Sequence, residues 1–137
     1  MQLNGKALGR RIMKTVVIDG AAIVDEPSLH REFAAKMGFV GFYGHNWDAW
    51  IDCMGYITEP EAKMTEVHVA IGDELLLKVI DGRALERRCP ELVKALLECG
   101  DFANERLQRR GEGTRIRVFL GGAAQQAVAA DRASPGR

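Results

Sequence analysis

Lysine and arginine are missing from Met37 to Ala62, although that stretch holds Asp48, Asp52, Glu59 and Glu61. Other absences bound the protein more broadly. The chain has only three cysteines, Cys53, Cys89 and Cys99. They cannot all pair with one another and none stands in a C-x-x-C, so a disulfide scaffold is excluded and a cytoplasmic protein with reduced thiols is expected. No apolar run approaches the ~20 residues of a membrane-spanning helix. The opening "MQLNGKALGRRIM" lacks the apolar stretch of roughly 7–15 residues that marks a secretory signal. Net charge is absent as well, 19 basic residues against 19 acidic, which removes any overall pull towards nucleic acid or an anionic membrane. There is no glycine-rich phosphate loop and no Gly-x-Ser-x-Gly elbow, so the common nucleotide-binding and serine-hydrolase signatures do not apply.

What is present fits one domain of ordinary composition: 137 residues, 47% apolar and 28% charged,. Residues 1–13 read as an N-terminal extension, 14–120 as the domain, and 121–137, poor in large apolar groups, as a flexible C-terminal tail. Thr15–Ile18 is a β-branched run closed by Asp19-Gly20, a strand and its turn. "DEPSLHREFAAKMG" predicts a helix that starts at Asp25 or Glu26, takes Pro27 in its first turn and stops at Gly38, with Leu29, Phe33 and Met37 as its apolar stripe. A second helix is expected over Trp47–Met54, capped by Asn46 and stopped by Gly55. "TEVHVAI", Thr65–Ile71, alternates as a strand does. "DELLLKVI" fits a strand or a helix. Pro90 to about Arg110 predicts a helix with a break near Gly100, and "TRIRVFL" a closing strand. The order β-α-α-β-α-β points to a small α/β domain in which helices cover a short, largely parallel, three-stranded sheet.

In "GFYGHNWDAWIDCMGYI" the short helix sets Trp47, Trp50, Ile51 and Met54 on one broad arc. Asp48 and Asp52 fall about 40° apart on another. Like charges at i, i+4 cost about 0.2–0.5 kcal/mol in a helix. Asp48, in the first turn, recovers part of that from the helix dipole. Five aromatics within fifteen residues beside these acids suit a binding surface; N-terminal acids on a solvated face are the plainer account.

The string "VVIDGAAI…SLHREF…FYGHNWDAWIDCMGYI" resembles the barstar family, small intracellular inhibitors of secreted ribonucleases. The shared features are a strand ending in an Asp-Gly turn, a helix containing Leu-His, and an aromatic-Tyr-Gly-x-Asn-x-Asp loop and helix with a second Asp four residues on. The resemblance implies an inhibitor with no catalytic residue, cofactor or metal. Its partner would be a basic ribonuclease or related toxin, blocked by the second helix and the loop before it. By position, Asp52 would be the principal phosphate mimic and Asp48 would pair with a further basic residue. Gly44 and Asn46 would hold the loop against the partner, and Phe42 would stack over its catalytic histidine. Ile51 and Gly55 belong to the same implied surface, and Glu105 is a candidate acidic contact from the last helix. On this view both aspartates lack a cation because their cations sit on another protein.

Four other readings arise. The same acidic helix would serve a non-inhibitory interaction module equally well. His45, Asp48 and Asp52 have a spacing that a divalent ion could use along one helical face, as in a metal-dependent hydrolase. Cys53 with His45 as its base fails on distance: two turns of helix put them roughly 12 Å apart, where a nucleophile and base need about 3 Å. Arg83, Arg87, Arg88, Lys94, Arg106, Arg109 and Arg110 alternate with acids and read as a mixed-charge solvated face rather than a nucleic-acid surface.

Overall fold

A computed structural model describes residues 11–111 and 113–122. Of the expected extension and tail, residues 1–10 and 123–137 lie outside the described residues. Three strands, β1 (Met13–Asp19), β2 (Glu74–Ile80) and β3 (Arg115–Leu120), form one wholly parallel sheet with β2 in the centre. The register sets Val16 beside Leu77 and Leu77 beside Val118. Parallel neighbours require helical crossovers, and four helices supply them: α1 (Glu26–Met37), α2 (Trp47–Met54), α3 (Gly82–Arg88) and α4 (Pro90–Arg109). None of the described helices is long and apolar enough to cross a membrane. Ile18, Leu75, Leu77 and Val79 meet Leu29, Phe33, Met37, Trp50, Leu96 and Leu107 in one core.

The first two helices follow their local chemistry. Asp25 caps α1 by accepting from the Ser28 N–H, Ser28 Oγ returns the bond to the Asp25 N–H, and Pro27 occupies the first turn,. Gly38 ends α1 at φ +68°, a left-handed conformation that a Cβ would disfavour,. Asn46 caps α2 through Oδ1 on the Ala49 N–H at 2.8 Å.

Two expectations are corrected. Thr65–Ile71 is not a strand. Its alternation is real, with Thr65 and Val69 buried and Glu66 and Ala70 exposed, but its N–H groups are engaged elsewhere. Glu66 and Val67 bond the carbonyl of Met37 at the end of α1, where Thr65 Oγ1 also donates, and Val69 bonds Ile57. The orphan carbonyls at a helix end take the donors that a ladder would need. The central strand is instead "ELLLKVI", with Leu75, Leu77 and Val79 on its buried face and Leu76 and Ile80 beside Lys78 on its half-exposed face. The second correction is at Gly100, where α4 runs on without a break. One interior glycine costs a helix about 1 kcal/mol, and the buried stripe Val93, Leu96, Cys99, Ala103 and Leu107 outweighs it. A further helix, α3, occupies part of the segment between Ile71 and Cys89. At the outer edge of β3, Asn104 of α4 brackets Ile116, accepting from its N–H at 2.8 Å and donating to its carbonyl at 2.9 Å. That contact covers backbone groups which would otherwise be open for edge pairing.

Candidate functional site

The loop from Val40 to His45 and the helix α2 form one ledge, and its underside is fixed by aromatic packing. Trp50, Cys53 and Met54 are buried and fasten α2 to the core. Trp47 is half-buried and meets the His30 ring edge-on at 5.1 Å and Trp50 at 5.9 Å. Beneath the loop, His30 is fully buried between two partners: its Nδ1 is hydrogen-bonded to the Tyr43 hydroxyl, and its Nε2 lies 3.2 Å from Glu26 Oε2. Burial holds the imidazole below its ordinary pKa, partly offset by Glu26,. The ring is therefore neutral near pH 7, accepting from Tyr43 at Nδ1 and donating to Glu26 from Nε2. Burial also pushes the Tyr43 phenol upward, so the hydroxyl remains a donor. His45 takes a left-handed backbone at φ +55° just before the Asn46 cap, a conformation uncommon outside glycine and asparagine,.

The upper surface carries most of the expected residues. Phe42 is 78% exposed, with nothing in the fold requiring a phenyl ring there. Gly44, Asn46 and Asp48 are exposed beside it, and Ile51 and Asp52 are half-exposed further along. Asn46 Nδ2 donates to the Gly44 carbonyl at 3.3 Å, tying the loop to the helix it precedes. Gly55 is placed differently. It is buried, its carbonyl accepts from Arg110, and a Cβ there would lie 3.5 Å from the side chain of Arg106. It supports the ledge from behind.

The expectation that both aspartates lack a cation is corrected for Asp52. Arg106 of α4 reaches it, Nη1 to Oδ1 at 2.5 Å. Arg110, one turn further, pairs with Glu59 at 2.8 Å and stands 5.5 Å over the Tyr56 ring. Asp48 has no cation within ion-pair distance among the described residues. Glu105 stands outside this group, 3.9 Å from Arg109 on the exposed side of α4.

The chain belongs to the barstar family. The family model described as Barstar (barnase inhibitor) matches residues 13–120. None of the curated proteins matches the chain.

The geometry bears on the competing chemistries too. Among the described residues no group of three His, Cys, Asp or Glu side chains is placed to hold a metal ion. His45 leans over Tyr43, ring centroids 5.0 Å apart, instead of joining the two aspartates. Cys53 is buried, and burial pushes its thiol up to about 11, the opposite of an activated nucleophile,. The basic residues of the C-terminal half are divided among separate tasks. Arg88 donates to the carbonyls of Gly20 and Ile23, Arg83 to that of Leu120, and Arg106 and Arg110 serve α2. The roles of Arg106, Arg110 and the His30–Tyr43 brace were not anticipated from the sequence. The one local signal was the four-residue spacing of Arg106 and Arg110, which sets both on one face of α4.

Proposed function

We propose that this protein acts in the cytoplasm as an inhibitor of a ribonuclease or related basic toxin, inserting the Phe42–Asn46 loop and the exposed face of α2 into the partner's active site. It makes no covalent change and uses no cofactor. The observation that carries this reading is the ledge itself: an exposed phenyl ring and a carboxylate, Asp48, with no ion-pair partner among the described residues, held on a braced loop and a capped helix. Pre-ordering such groups avoids an ordering cost when the complex forms. An aromatic anchor beside acids suits a pocket built to bind a base and a phosphate. Membership of the barstar family supplies the expectation of a ribonuclease partner. In this reading Asp48 and Asp52 meet the partner's phosphate-binding cations, Phe42 stacks on a catalytic side chain, and Gly44, Asn46 and Ile51 complete the contact, with Gly55 supporting them.

The test is capture from native cell extract on wild-type protein and on the Asp48→Ala/Asp52→Ala variant, at low and moderate salt. The expected result is a basic protein that cleaves RNA, held by wild type and lost by the variant. Retention of the same proteins by both baits would remove the acidic helix from the account. A specific partner without nuclease activity would favour a non-inhibitory interaction module built on the same ledge.

A further inference from the structure

Two carboxylates on one short helix are treated differently by the rest of the chain. Asp52 is met by Arg106 at 2.5 Å, while Asp48 has no such cation among the described residues. The side chains of Arg106 and Asp52 remain 41% and 51% exposed, so the pair stands at the surface that the proposed function assigns to the partner. Arg110 keeps the neighbouring Glu59 occupied in the same way.

We propose that Arg106 is a specificity-determining residue, an internal stand-in that holds Asp52 until a partner with two or more converging cations displaces it. This inference rests on the inhibitor reading above. A single lysine or arginine on a passing basic protein gains little at Asp52, because it exchanges one exposed ion pair for another of similar strength. A phosphate-binding centre differs, since one of its cations replaces Arg106 and the next adds attraction. Opening the internal pair is cheap, because ion pairs this exposed are weak; the cost corresponds to at most about a five-fold loss of affinity. The released guanidinium rehydrates where it stands. Arg106 thereby cancels the gain of a partner that brings a single cation to Asp52, and leaves a net gain only to one whose further cations add attraction at the same carboxylate.

Barnase serves as the probe, titrated calorimetrically at fixed salt into wild type, Arg106→Gln, Arg106→Lys, Asp52→Asn and the Arg106→Gln/Asp52→Asn double variant. Arg106→Gln is expected to bind about two- to five-fold more tightly than wild type, with Arg106→Lys close to wild type. Asp52→Asn should weaken binding in both backgrounds, and more where Arg106 is absent. In the free protein, the ¹⁵N side-chain resonance of Arg106 should shift on Asp52→Asn. Binding by Arg106→Gln no tighter than by wild type overturns the stand-in and leaves the inhibitor reading in place. An Arg106 resonance indifferent to Asp52→Asn also overturns it, whatever the ribonuclease does. Failure of every variant to bind barnase overturns the inhibitor reading for this class of nuclease, and the stand-in falls with it.

Discussion

Replacing Tyr43 with phenylalanine removes one hydroxyl and nothing else, and the fold makes that hydroxyl expensive to lose. It lies under the loop on the Nδ1 of a fully buried His30, which has no route to water. Deleting one member of such a bond costs about 1–3 kcal/mol, because the remaining acceptor stays desolvated. For a domain of this size each kcal/mol lowers the melting temperature by roughly 4 °C, so Tyr43→Phe should melt about 4–12 °C below wild type. Circular dichroism at pH 7.5 reads the shift. In a His30→Leu background the same substitution should cost less, since the orphaned acceptor is already gone. A Tyr43→Phe protein that melts within 1 °C of wild type would refute the brace.

Other perturbations follow from the same contacts. Burial holds the folded-state pKa of His30 below its unfolded value. Unfolded chains therefore take the proton first, and stability should fall as pH drops below about 6.5, levelling off once the folded value is passed. Glu26→Gln removes a group that favours the charged ring, so the His30 titration followed by NMR should move to lower pH; an upward move would contradict the assignment. Gly100→Ala should stabilise α4 by about 0.5–1 kcal/mol in urea unfolding, because among the described residues nothing outside the helix's own backbone lies within 4 Å of the added Cβ,. Asn104→Ala should cost about 1–2 kcal/mol and accelerate hydrogen exchange at the Ile116 amide, which loses its acceptor on α4,. Phe42→Ala should leave the melting temperature within a degree of wild type, because the ring is 78% exposed,, while weakening capture of the partner.

The helices that build the site were legible because their ends are written locally. Asp25 with Ser28, the Gly38 stop and the Asn46 cap each act within four residues, and the Tyr-Gly-x-Asn-x-Asp-x-x-x-Asp string places the loop, cap and both acids together. The sheet was harder. Thr65–Ile71 has the period of a strand, and only the distant carbonyls of Met37 and Ile57 decide otherwise. "DELLLKVI" hides its period, because Leu76 and Ile80 put apolar groups on the half-exposed face as well as Leu75, Leu77 and Val79 on the buried one. The pairing of Asp52 with Arg106 spans 54 positions and depends on how α2 and α4 lie across each other. The four-residue spacing of Arg106 and Arg110 sets both on one face of the helix, but no local pattern says that this face meets α2.

The most direct test of the account is a titration of RNA cleavage by the ribonuclease captured from native extract. Wild-type protein should reduce cleavage linearly to zero at one molecule per enzyme. The Asp48→Ala/Asp52→Ala variant, with an unchanged circular dichroism spectrum, should leave cleavage standing at the same ratio. Equal inhibition by the two proteins, or none by wild type, would contradict the claim that α2 and its loop block the nuclease.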